Sequence, residues 1–216
     1  MTEPKEAVAE SLASKAQGLA AEQQYAEAVR YHRQAIELCS EVFDATQGDR
    51  AAQQLAAQAL ADQWGRLGGT LRRQGDLPEA LAAYEEGAEL ERDWGLDATY
   101  NRTNAITIRL LRDPGEVPRS DPRLIEVINL LESQVEGPRR YELWAWADLG
   151  LLSLVAGRDR AAMRAYANVA GLDPERVFAE SVHRVLRQVR DTVVTVNPGR
   201  AAAFDSALRQ VESAVG

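Results

Sequence analysis

The sequence predicts an all-α fold in which antiparallel helix hairpins stack side by side, and three observations carry that prediction. Trp64, Leu67, Gly68, Gly75, Ala80 and Tyr84 recur, in type and spacing, as Trp146, Leu149, Gly150, Gly157, Ala162 and Tyr166. Self-similarity of this kind marks repeat architectures, in which each unit buries its apolar face against the next. Elsewhere apolar residues return every three or four positions, the period of a helix with one buried face. Aromatic residues are only 6% of the chain, and Gly and Pro cluster at breaks, which favours helix over strand.

The stretch Trp64–Leu90 shows how one hairpin is encoded. Trp64, Leu67 and Leu71 form an apolar stripe. Gly68 gives up about 1 kcal/mol of helix propensity, which points to a neighbouring helix pressing close there. Gly75-Asp76 breaks the chain, and Pro78 sits in the first turn of the next helix, where its missing N–H is harmless. Ala80 lets the two helices approach, and Tyr84 fills the gap one turn later.

The remaining elements follow in order. Residues 5–23 form an amphipathic helix with Leu12, Ala16 and Leu19 on one face, and Gln23-Gln24 stands where Gly-Asp would break it. Tyr25, Ala28, His32 and Ala35 carry the large–small alternation of a second helix, which continues through Ile36, Cys39 and Phe43 to about Gly48. Asp49 is an N-cap for a long helix from about Arg50 to Gln74 that contains no breaker. After Leu90 a helix ends at Gly95, and Asp97 or Thr99 opens a segment with Ile106, Leu110 and Leu111 apolar. Pro114, Gly115 and Pro118 stop it, and Ser120 or Asp121 caps a helix with Leu124, Ile128 and Leu131 inward. The hairpin of Trp146 follows, with Ser153 in place of an expected aromatic residue and Pro174 as its stop. Phe178, Val182, Val185, Leu186 and Val189 mark a further helix. The β-branched run Thr192–Val196 is left unassigned by its pattern, and Asn197-Pro198-Gly199 is a turn signal. Phe204, Leu208, Val211 and Val215 mark a closing helix with a polar outer side, as the end of a stack needs.

Composition narrows the function. A net charge of −8 disfavours binding to phosphate backbones, so nucleic acid is not an expected partner. Cys39 is the only cysteine, which excludes an internal disulfide and a multi-cysteine metal site and suits a reducing compartment. The first residues are charged and lack the apolar core of a secretory signal, and no apolar run approaches the roughly 20 residues of a membrane helix. The cytoplasm is therefore the expected location, with no membrane partner.

The two tryptophan hairpins, and a third pattern over residues 12–35, resemble the tetratricopeptide-repeat (TPR) family. The resemblance implies one domain over residues 1–216, a right-handed α-α superhelix of antiparallel hairpins closed by a capping helix. Repeats would fall at about 8–48, 58–95, 97–137 and 140–173, with C-terminal helices over 175–215. Ala28 to Ala80 spans 52 positions where the family repeat has about 34, so the first hairpin's arms should carry extra turns. A fainter resemblance runs through Tyr100, Asn104-Ala105, Leu110-Leu111, the segment 141–166, and Phe178–Ser181 with Arg184 and Arg187. These residues look like the TRAFs-binding region of MAP kinase kinase kinases and its bacterial relatives. That resemblance implies a regulatory scaffold beside a bacterial signalling or defence module.

No constellation for catalysis emerges. His32 and His183 have no convergent partners and read as packing or surface residues. No metal-ligand spacing and no phosphate loop is present, so neither metal nor cofactor is expected. Cys39 reads as a small buried hydrophobe, and Glu85, Glu86, Glu89 and Glu91 as a solvated helix face. The family geometry implies a concave groove. Arg66, Gly69 and Arg73 would face it on one helix, Tyr100 and Thr103 on the next, and Trp144 and Asp148 on another. Gly65 and Gly69 would leave a bare floor for a ligand backbone. Arg66 and Arg73 would either hold a carboxylate through forked hydrogen bonds or simply solvate the helix. Trp144 and Trp146 cannot share a helix face: Trp146 fits the interior, and Trp144 is either an interface anchor or packed near Leu131. The expected function is a non-enzymatic scaffold or adaptor holding a protein or peptide, with acidic groups suited to the arginines. The alternative is a self-association module forming a homodimer.

Overall fold

In a computed structural model that describes residues 4–173, 175 and 177–213, the chain is all-α, with no strand among the described residues. The helices are α1 (Lys5–Ala21), α2 (Tyr25–Ala45), α3 (Arg50–Gln74), α4 (Leu77–Asp93), α5 (Tyr100–Arg112), α6 (Pro122–Glu136), α7 (Leu143–Val155), α8 (Asp159–Leu172), α9 (Ala179–Val196) and α10 (Ala201–Ser213). Pro174 and Val215 lie outside the described residues. The chain divides within α5 into two compact units, the first ending at Ile108 and the second beginning at Arg109. In the first, α1 packs on α2, α2 on α3 and α3 on α4. In the second, α6 packs on α7, α7 on α8, and α10 on both α8 and α9.

Three hairpin turns are one structure built from different residues. Gly75 (φ 92°), Gly157 (φ 76°) and Gln23 (φ 63°) take the left-handed conformation. In each case the next residue donates its N–H to a carbonyl five positions back: Asp76 to Leu71 at 3.0 Å, Arg158 to Ser153 at 2.8 Å, and Gln24 to Leu19 at 2.8 Å. This bond closes the first helix and turns the chain back. The following helix starts in the same way each time, with Ala80, Ala162 and Ala28 donating to Asp76, Arg158 and Gln24. Those alanines are fully buried.

The closest approach between paired helices occurs at a glycine beneath a ring. A Cβ on Gly68 would fall 2.8 Å from the Tyr84 ring, and a Cβ on Gly150 2.8 Å from the Tyr166 ring. Both tyrosines are 1% exposed. In the first hairpin the same positions hold Ala16 and His32, both fully buried, so a smaller ring is matched by an added methyl. Trp64 and Trp146, by contrast, are half-buried. Ser153 is fully buried and its hydroxyl makes no hydrogen bond.

Caps fix the other boundaries. Asp49 accepts from the N–H groups of Ala51 and Ala52, both at 3.1 Å, and Asp121 from that of Arg123 at 2.9 Å. The run Thr192–Val196 is helical and completes α9. Its threonine hydroxyls donate back to the carbonyls of Gln188 and Asp191, which suits β-branched residues to a helix end. α10 buries Phe204, Ala207 and Val211 and leaves Leu208 half-buried. Before it, Arg200 donates to both oxygens of Asp159 (2.6 and 3.0 Å) and to the Leu154 carbonyl (2.8 Å).

Two stability predictions follow from the turns and the rings. Tyr84→Ala should cost about 3–5 kcal/mol, while half-buried Trp64→Ala should cost about 2 kcal/mol or less. Urea denaturation checks the ranking, and a reversed order would remove the tyrosine from its central role. Gln23→Gly should stabilise by about 1 kcal/mol, because an L side chain at positive φ is relieved.

Candidate protein-interaction surface

The solvent-facing side of α3 is built from Arg66, Gly69 and Arg73. Arg66 is already engaged: its Nη1 donates to both oxygens of Glu10 on α1, at 3.0 and 2.9 Å. Arg73 is exposed, with Nη2 donating to the Thr70 hydroxyl at 3.3 Å. Tyr100, 51% exposed, lies across α3: its ring would be 3.0 Å from a Cβ on Gly65 and its hydroxyl 3.5 Å from one on Gly69. The ring meets Tyr84 edge-on at 5.9 Å. The glycines therefore seat a tyrosine of the chain itself rather than leaving a bare floor, which corrects the expectation of backbone access there. Thr103 is corrected too. It is 2% exposed with an unpartnered hydroxyl, because α5 turns that position inward.

Of the expected residues, Arg66, Gly69, Arg73 and Tyr100 come together and Thr103 does not. Trp144 and Asp148 belong to the other unit, one turn apart on α7. Trp144 is 46% exposed and meets Phe178 edge-on at 5.5 Å. Trp146 is anchored instead, its indole N–H donating to the Arg140 carbonyl at 2.8 Å. Asp148 is half-buried, and its charge adds to burial in pushing the Tyr166 phenol up.

The arginines shape the interior beneath them. His32 is fully buried with neither ring nitrogen bonded, and burial, aided by Arg66 and Arg73, pushes its pKa down to about 4. Cys39 is also buried, and burial pushes its thiol up. His183 lies within 2.6 Å of the Glu212 carboxylate.

A second polar group escaped the sequence pattern. Glu91 is not on a solvated face but fully buried, where it caps α5 from a neighbouring helix. It accepts from the Asn101 backbone N–H at 3.1 Å, the Asn101 side-chain amide at 2.9 Å and the Arg102 backbone N–H at 3.4 Å, with the Arg102 guanidinium also at 3.4 Å. The Asn101 amide also donates to the Ala61 carbonyl at 3.0 Å. It occupies a notch made by two glycines: a Cβ on Gly65 would lie 2.8 Å from its oxygen, and one on Gly87 would collide with its amide. Burial pushes Glu91 up to about 7 against the pull of Asn101 and Arg102. Two otherwise costly glycines inside helices were the available signal.

Among the described residues no group of His, Cys, Asp and Glu is arranged to hold a metal, and no helix is long and apolar enough to cross a membrane. Solved structures resembling the chain are TPR-like. The TPR-like repeats of a putative kinesin light chain from Podosopora anserina match at 16% identity with a TM-score of 0.49, over 99% of this chain and 97% of that one. A single-site variant of it matches at 16% identity and 0.50, with the same coverage. BtubC (BKLC) from P. vanneervenii matches at 14% identity and 0.43, over 97% and 90%. The fold is TPR-like. No family model and no curated protein matches the chain.

Buried His32 and buried Glu91 oppose each other in their pH dependence. On acidification the unfolded chain protonates His32 near pH 6.5 and the folded chain only near 4, so stability is lost between those values. Glu91 takes its proton near 7 when folded and near 4.5 when unfolded, so its share of stability is present below 4.5 and lost as pH rises through 7. Relative to the parent, His32→Leu should gain up to about 3 kcal/mol from pH 6.5 to 4. Glu91→Gln should gain on the parent as pH rises from 4.5 to 7. Urea midpoints at stepped pH check both signs.

Proposed function

We propose that the chain is a non-enzymatic interaction scaffold of the cytoplasm that holds a protein partner through the α3–α5 surface. The observation that supports it most is the convergence of Arg73 and Tyr100, both exposed, on a rigid pair of helices beside Arg66. A pre-formed surface loses little entropy on binding, and an aromatic beside an arginine is the residue pair that anchors interfaces. Its charge suits an acidic segment: Arg73 would take the first carboxylate, and Arg66 a second in exchange for Glu10. A regulatory role beside a signalling module, as the TRAFs-binding resemblance implies, would use the same surface. The test is recovery of partners from the source cell by pull-down and mass spectrometry, followed by titration of the recovered partner. Arg73→Glu combined with Tyr100→Ala should weaken it at least about tenfold at unchanged thermal stability. Unaltered affinity discards this surface.

A second reading, a homodimer, is favoured by a specific patch in the other unit. Trp144 (46% exposed), Phe178 (43%), Val177 (65%) and Tyr141 (80%) leave apolar surface in water. Light scattering over a concentration series decides it: a dimer dissociated by Trp144→Ser supports the reading, and a monomer at all concentrations removes it.

A further inference from the structure

The apolar face of α3 opens into a groove that the chain does not fill. Trp64, Leu67 and Leu71 lie on the face of α3 opposite Arg66, Gly69 and Arg73, since successive residues turn by about 100°. With Ile36 of α2 they form the floor of a cavity of about 410 Å3 between α2 and α4. Its α4 wall is made of Ala82 and Ala83, too small to reach across. The Trp64 indole N–H makes no hydrogen bond among the described residues, unlike that of Trp146.

The rim is acidic. Glu37 stands on the α2 side, Glu79 and Glu86 on the α4 side, and among the described residues Arg33 is the one cation lining the groove. Arg33 spans it to Glu79 at 2.7 Å, which leaves Glu37 and Glu86 with no ion pair or side-chain hydrogen bond among the described residues. Three carboxylates against one guanidinium give a net −2 around an apolar floor.

We propose that this groove docks a second protein segment, one in which an arginine or lysine adjoins an aliphatic residue. The aliphatic side chain lies against exposed Ala82 and half-buried Trp64, above Leu67 and Leu71, and the cation sits between Glu37 and Glu86 beside the Trp64 ring, where ring and carboxylates attract it together. This site is separate from the α3–α5 surface and has the opposite charge preference, so one helix serves two partners.

The probe is a short blocked peptide of sequence ARLARLA, with AELAELA as its charge-reversed counterpart, titrated while the Trp64 indole N–H signal is followed by NMR (assigned by Trp64→Phe). ARLARLA should shift that signal saturably. Glu37→Lys with Glu86→Lys should weaken it about tenfold, at an unchanged melting temperature. Glu136→Lys with Glu175→Lys, which alters net charge equally elsewhere, should not, and neither should Arg73→Glu with Tyr100→Ala. The proposal is overturned by no saturable shift, by equal binding of AELAELA, or by equal weakening in the Glu136/Glu175 control.

Discussion

One hairpin in each unit is spaced by the contact of a tyrosine ring with a glycine on the facing helix. Tyr84 on Gly68, and Tyr166 on Gly150, bring two helices closer than any side chain would permit, since a methyl would meet the ring at 2.8 Å. That distance is held at both ends. At the turn, a left-handed residue and the N–H that follows it close the first helix, and the buried alanine one turn before the tyrosine removes bulk on the second. Helix propensity given up at the glycine is returned as close packing and a buried phenol.

This contact is also why the hairpins were legible in the sequence. Trp, Gly and Tyr at fixed spacing have no other economical explanation, and the helix limits at Asp49, Gly75 and Asp121 follow from caps that side-chain chemistry dictates. The first hairpin was harder to read because Gln23 and His32 stand where glycine and tyrosine would. The structure shows the same turn and a compensated exchange of ring for methyl. What could not be read was the fate of polar residues whose partners lie far along the chain. Glu91 shares its segment with exposed glutamates, and only the meeting of α4 with α5 decides that it is buried. Thr103 likewise follows the rotation of α5 about its axis, which spacing alone does not fix.

Buried polar groups give the first unit specificity that its alanine-rich packing lacks. Small side chains fit many arrangements, whereas Asn101 fits only where Gly65 and Gly87 face each other and where Ala61 and Glu91 offer acceptors. A shift of one helix by a single turn would leave a buried carboxylate and two backbone N–H groups unpaired, at a cost of several kcal/mol. The register of α3, α4 and α5 is thus set by hydrogen bonds, and their proximity by glycines.

The same logic distinguishes surfaces that are finished from those that are not. Where the chain has its own partner for a charged or aromatic group, the group is quiet: Asp159 takes Arg200, and the Arg140 carbonyl takes the Trp146 indole. The groove beside Trp64 differs because its neighbours on α4 are alanines, and Arg33 at its edge is already committed to Glu79. Of its apolar lining, Trp64 and Ala82 stay partly in water, and the space above them is held open by the rigidity of the helices around it. In a stack spaced by tyrosine and glycine that rigidity exists with or without a ligand, so water can be expelled from the groove without the fold having to rearrange.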